Sequence, residues 1–113
     1  MNNRIYISGA ITNNPNHESD FLDAQIKLLE RGYQVINPVI VGKQLPKDLS
    51  YKEYMQIDLK LLDLCDSIYM LEGWENSIGA CCEYSYARTM GKNILFQTKN
   101  KNTTLTESKS VLS

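Results

Sequence analysis

The sequence is poor in the residues that build metal sites and disulfide scaffolds. Its 113 residues hold one histidine, His17, and three cysteines, Cys65, Cys81 and Cys82. The cysteines are odd in number and lack a CxxC spacing, which argues against a disulfide framework. The sole histidine lies far from them in sequence, so no zinc pattern forms and no metal is expected. All three read as reduced thiols in or near the core, where free cysteine behaves as a small hydrophobe. A basic excess is also missing: 12 Lys and Arg stand against 13 Asp and Glu, a net charge of −1. That balance cannot neutralise a phosphate backbone, so a nucleic-acid polymer is not an expected partner. No apolar run approaches the roughly 20 residues of a membrane span. The opening Met1-Asn2-Asn3-Arg4 lacks a signal peptide's apolar stretch. The expectation is a cytoplasmic chain with no membrane partner.

Several nucleotide-handling and hydrolytic motifs are absent as well. Ser8-Gly9-Ala10-Ile11-Thr12 is neither a GxGxxG nor a P-loop. There is no GxSxG elbow, and one histidine leaves no plausible cysteine–histidine dyad. No cofactor is therefore expected.

What is present is one ordinary core. Hydrophobic residues make up 42% of the chain and charged residues 22%, which fits a single folded domain. Arg4-Ile5-Tyr6-Ile7-Ser8 reads as a strand ended by Gly9. Asn13-Asn14-Pro15-Asn16 marks a loop. From Ser19 to Arg31, Phe21, Leu22, Ala24, Ile26, Leu28 and Leu29 predict a helix with a broad buried face, closed by Gly32. Tyr33 to Ile36 is a second strand, stopped at Asn37-Pro38. Residues 39–50 read as a mixed loop. Ser50 and Glu53 form a capping box for a helix from Tyr51 to Leu64. Ser67 to Leu71, mostly apolar, is a third and central strand. Ser77 to Met90 is a helix closed by Gly91, and Asn93 to Phe96 a fourth strand. Residues 98–113, rich in Thr, Ser, Asn and Lys, read as a polar tail that is flexible or ordered on a neighbouring subunit.

Strands alternating with helices predict an α/β domain over residues 1–97. The expected architecture is a three-layer sandwich around a parallel sheet, with helices on both faces. Ligands in such sheets bind beyond the carboxyl ends of the strands. This selects the loops at 9–16, 37–50 and 72–77.

Two helical stripes break the apolar rule there. Ala80, Glu83, Ala87 and Met90 share one stripe, which places Glu83 close to the core. Tyr54, Asp58, Leu61 and Cys65 share another, interrupted by Asp58. Two carboxylates converging at the end of a sheet suit cleavage of a glycosidic bond, where one attacks the anomeric carbon and the other handles the leaving group. The plain alternatives are an ion-paired Glu83 and a solvated helix aspartate. Ser77 and Gly79 open the last helix, whose free N–H groups attract anions or hydroxyls, although Ser77 is equally a simple cap. Tyr6 is either a core tyrosine or a partner of a catalytic carboxylate. Trp74 either stacks on a base or covers the sheet edge.

These same residues carry a resemblance. Ile5-Tyr6-Ile7-Ser8-Gly9-Ala10-Ile11-Thr12, Asn37-Pro38, Tyr54-Met55-Gln56-Ile57-Asp58-Leu59 and Gly73-Trp74-Glu75-Asn76-Ser77-Ile78-Gly79-Ala80-Cys81-Cys82-Glu83 resemble the nucleoside 2-deoxyribosyltransferase superfamily, especially its small bacterial and phage members. The resemblance spans residues 4–97 and extends to 2′-deoxynucleoside 5′-phosphate N-hydrolases. It implies a flavodoxin-like fold with a four- to five-stranded parallel sheet. By the same resemblance Glu83 is the nucleophile, Asp58 assists at the base or sugar, and Tyr6 orients Glu83. Ser77 then holds the sugar or its 5′ substituent. The candidate substrate contacts are Ser8, Gly9, Asn37, Trp74, Ser77 and Gly79. The implied partner is a small-molecule nucleoside or nucleotide, and the implied assembly is a homo-oligomer with sites completed by a neighbour. The chain departs from the pattern at Ala10, where relatives often have proline, and in lacking a clear fifth strand. The competing expectation is a non-catalytic module that senses or sequesters a nucleotide-like signal.

Overall fold

A computed structural model describes residues 3–98. Four strands, β1 (Arg4–Ser8), β2 (Gln34–Ile36), β3 (Ser67–Met70) and β4 (Asn93–Phe96), form one sheet in the order β2-β1-β3-β4. Every pairing is parallel. Four α-helices connect them: α1 (His17–Glu30), α2 (Pro38–Lys43), α3 (Tyr51–Asp63) and α4 (Ile78–Thr89). The result is a flavodoxin-like three-layer α/β fold. The expected four to five strands are four among the described residues. Of the polar tail expected at 98–113, the residues from 99 onward lie outside them.

Strand alternation divides the core into two halves. Ile5 and Ile7 of β1, with Tyr69, Leu71 and Leu95, pack on Phe21, Ala24 and Leu28 of α1. Tyr6, Ile68, Met70 and Ile94 face the other way, onto Leu62 and Cys65 at the end of α3 and Ala80 and Ala87 of α4. β3 is central and fully buried, as its composition predicts. The face of α1 is narrower than expected: Leu22, Ile26 and Leu29 stay about half exposed. A helix against a single sheet buries only one i, i+3, i+4, i+7 stripe, and Phe21, Ala24 and Leu28 fill it.

Two local expectations need correction. Residues 38–43 are helix α2 rather than loop, because Asn37 and Pro38 start a helix as well as stop a strand. The Asn37 side chain accepts from the Val39 N–H at 3.0 Å, and Pro38 occupies the first helical turn, where its missing N–H costs nothing. Met90 leaves the buried stripe of α4 because it is the C-cap; it is exposed, and Gly91 follows at φ 73°. By contrast, the Ser50–Glu53 capping box forms with both of its hydrogen bonds. Of the cysteines, only Cys65 is buried. Cys81 is half-buried and Cys82 exposed, since Cys82 lies about 100° around α4 from the inward Glu83.

Candidate functional site

The chain leaves β1 toward α1 on one side of the sheet and reaches β3 on the other. The carboxyl ends of β1 and β3 therefore flank the point where the strand order reverses, the usual place for a ligand crevice. At that point a carboxylate from α4 meets the sheet. Glu83 lies on the inward stripe of α4 between Ala80 and Ala87, whose small side chains let the helix approach β1 closely. Tyr6 and Ser8 are two residues apart on β1 and so point to the same face. The Tyr6 hydroxyl donates to Glu83 Oε2 at 2.8 Å, and the Ser8 hydroxyl donates to Oε1 at 2.6 Å. Both oxygens of one buried carboxylate are thereby held.

Three effects act on the charge of Glu83. Burial disfavours the carboxylate, the Ser8 and Tyr6 hydroxyls favour it, and the negative charge of Asp58 disfavours it. Burial wins, and Glu83 is pushed up to about 7. Asp58, on the neighbouring stripe of α3, is pushed up to about 6 by burial. No side-chain hydrogen bond restrains Asp58 among the described residues. Burial, reinforced by the charges of Glu83 and Asp58, raises Tyr6 well above the ordinary phenol range, so it remains a proton donor. Near neutral pH the two carboxyls share about one proton, and their titrations belong to the pair.

Glu83 and Asp58 open into a cleft of about 450 Å³. That volume falls in the range of small-molecule sites, about 300–1,000 Å³. Gly9, Ile11 and Thr12 after β1 form one wall, with His17 and Phe21 of α1. Pro38, Val39 and Lys43 of α2 form the next, and Tyr51, Tyr54 and Met55 of α3 a third. Ser77, Gly79 and Ala80 close it at the start of α4. An ion pair from Lys43 to Glu18, 3.0 Å, spans the rim. Among the described residues no group of three or more His, Cys, Asp or Glu side chains gathers to hold a metal. No helix of the described residues is long and apolar enough to cross a membrane.

The residues singled out in the sequence divide into three groups. Glu83, Asp58, Gly9, Ser77 and Gly79 line the cleft, and Tyr6 lies behind Glu83. Gly9 is needed for packing as well, since a Cβ there would meet the Leu71 side chain at 2.9 Å. Ser77 caps α4 by accepting from the Ala80 N–H at 3.1 Å. Ser8 and Asn37, expected as substrate contacts, have their polar groups committed elsewhere. Ser8 bonds to Glu83, and Asn37 caps α2 while donating to Gln25 Oε1 at 2.9 Å. Trp74 does not line this cleft. It packs on Tyr84 and Phe96, with ring centroids 4.6 and 6.2 Å away, and covers the edge beside β4. Tyr51 and Met55 were missed as cleft residues. They stand seven and three positions before Asp58, and that helical stripe was there to be read.

A protein-family model described as a domain of unknown function, DUF4406, matches residues 3–96. The chain belongs to the DUF4406 family. No curated protein and no solved structure matches it. The DUF4406 match takes in all four strands and every cleft residue described above.

Proposed function

We propose that this DUF4406 protein cleaves or exchanges the N-glycosidic bond of a (deoxy)nucleoside or (deoxy)nucleotide through a covalent glycosyl–Glu83 intermediate. The observation carrying this reading is a buried carboxylate with both oxygens held by hydroxyls, opening with Asp58 into a cleft of nucleoside size. The resemblance of its motifs to the nucleoside 2-deoxyribosyltransferase superfamily supplies the reaction.

In the first step one Glu83 oxygen attacks C1′. The bond from C1′ to the base nitrogen breaks, its electron pair leaves with the base, and protonated Asp58 supplies the proton. In the second step water or another base attacks C1′, gives its proton to the Asp58 carboxylate and displaces Glu83 as a carboxylate, which restores the starting pair with net retention. The working form of the pair carries one proton, with Glu83 ionised and Asp58 protonated; because Glu83 holds its proton more tightly than Asp58, this is the minor of the two singly protonated forms. Activity therefore falls below about pH 6, where both carboxyls hold protons, and above about pH 7, where both lose them. Ser77 and the first N–H groups of α4 hold sugar hydroxyls or a 5′-phosphate. No cofactor takes part. Trp74 has no part in base stacking on this reading, because it faces away from the cleft. The working unit is a homo-oligomer, which sedimentation tests; a pure monomer that retains full activity contradicts it.

The deciding assay incubates the protein with deoxynucleosides, deoxynucleoside monophosphates, ribonucleotides and NAD, with and without a free acceptor base. Chromatography reads base release or exchange. Turnover of at least one glycoside is expected; a folded protein inert across the panel overturns the reading. A binding module is favoured instead by the raised pKa of Glu83, since a protonated Glu83 is a hydrogen-bond donor and no nucleophile. Glu83→Ala separates the two: an enzyme loses turnover and still binds, whereas a module binds its ligand and returns it unchanged with or without the substitution.

A further inference from the structure

The second hydroxyl on Glu83 belongs to a residue with no other visible task. Ser8 is 1% exposed and does not line the cleft. Its hydroxyl donates to Glu83 Oε1 at 2.6 Å. Its backbone is equally fixed: Ser8 pairs with Met70 on the last rung of the β1–β3 ladder, and its carbonyl accepts from the Leu71 N–H at 2.8 Å. A hydroxyl on so rigid a rung has one place to go.

We infer that Ser8 is a positioning residue for Glu83, acting with Tyr6 as a two-point clamp that fixes the plane of the carboxylate and stabilises its charged form. A carboxylate with a single donor swings about its Cγ–Cδ bond. One with a donor on each oxygen, both from the same strand, does not. Hydrogen bonds from neutral donors to an ionised acceptor are also stronger than neutral pairs, so the clamp favours the charged form inside a site that burial drives toward neutrality. Of the two hydroxyls, the Ser8 bond opposes that drive more than the Tyr6 bond does. The titratable groups coupled to Glu83 are Tyr6 on β1 and Asp58 and Tyr51 on α3, all acids. His17 of α1, Lys43 of α2 and Lys47 line the same cleft but do not act on the charge of Glu83, so the two hydroxyls carry the stabilisation.

In the chemistry proposed above, on which this role in catalysis rests, no proton leaves Ser8. When one Glu83 oxygen bonds to C1′, the other becomes the ester carbonyl. When the ester is displaced, negative charge returns to the carboxylate and both hydroxyl bonds strengthen again. The clamp thus makes Glu83 a better leaving group in the second step and a better oriented nucleophile in the first.

The test follows the Glu83 side-chain carboxyl by 13C NMR through a pH titration of the full chain. Ser8→Ala should move the Glu83 titration upward by roughly one pH unit, with the melting temperature confirming a folded protein. Ser8→Thr and Ser8→Val, close in size and differing by the hydroxyl, are the second comparison: Val should titrate above Thr. With a substrate that turns over, Ser8→Ala should lower kcat at pH 7 by roughly 10- to 100-fold, leave KM within about twofold, and move upward the alkaline limb of the pH profile, which follows the higher pKa of the pair, that of Glu83. An unchanged Glu83 titration in folded Ser8→Ala, or equal titrations for the Thr and Val variants, overturns the inference. So does a raised KM at unchanged kcat, which would make Ser8 a substrate contact. If no glycoside turns over, the functional proposal falls alone, and the titration still decides the role of Ser8.

Discussion

The two faces of β1 are built from alternate residues of a single strand and do different work. Ile5 and Ile7 face α1 across a layer of purely apolar contacts with Phe21, Ala24 and Leu28. Tyr6 and Ser8 face α4, where the same strand presents two hydroxyls to a buried carboxylate. One face contributes stability by excluding water. The other gives some of that stability up by holding Glu83 and Asp58 where their charges are disfavoured. A pleated strand makes this division without extra residues, because its side-chain period is two. The contrast is a reason to look for chemistry on the α3/α4 side.

Substitutions on the two faces should therefore separate stability from activity. The largest effect is on turnover: Glu83→Gln should lower kcat by at least about a thousandfold in the glycoside assay. On the opposite face, Leu28→Ala should cost about 2–5 kcal/mol in urea unfolding, since a fully buried leucine is removed from a packed layer. It should leave the titration of Glu83 where it is. A wild-type pH profile in Glu83→Gln, or a moved titration in Leu28→Ala, would break the comparison.

Next in size is the dependence of stability on pH. Glu83 has a folded pKa raised to about 7 from 4.5, so the native state holds the proton more tightly than the unfolded chain. Its contribution is fully present below the unfolded value and is lost as pH rises through the folded one. From Glu83 alone, unfolding free energy should fall by on the order of 3 kcal/mol between pH 4.5 and 7. Asp58 adds to the loss in the same direction, from 3.8 to about 6. Glu83→Gln should flatten this slope and leave the variant more stable than wild type at pH 8. A wild-type slope of the opposite sign would show that Glu83 is not desolvated.

Smaller effects mark the seam between the faces. Gly9→Ala places a Cβ 2.9 Å from Leu71 and should cost about 1–3 kcal/mol by thermal melting, with the carboxyl end of β1 shifted. Ser50→Ala removes the capping-box acceptor of α3 and should cost about 1 kcal/mol without altering the Glu83 titration.

Much of this arrangement was legible in the residues. Strand β1 and the capping box on Ser50 were read to the residue, and β4 likewise, because each has a strong local signal. Glu83 stood out because Ala80 and Ala87 flank it on one stripe. Helix α2 is not legible in the same way, because Asn37-Pro38 carries two meanings, a stop for a strand and a start for a helix, and here it is both. The partnership of Tyr6 and Glu83 was open to expectation but not to derivation, since 77 residues separate them. The position of Trp74 depended on which side of the sheet its loop turns toward, and local sequence carries no record of that. The half-exposed Leu22, Ile26 and Leu29 show the same limit: periodicity marks an apolar face but not how much of it a single sheet covers.

The central claim, that Glu83 is the nucleophile of the polar face, is tested most directly by quenching the protein in acid during turnover of a deoxynucleoside or its monophosphate. Mass spectrometry of the digested chain should then find a glycosyl adduct on the α4 peptide at Glu83, absent from Glu83→Gln. Base release without an adduct on Glu83, or with an adduct on another residue, would contradict it.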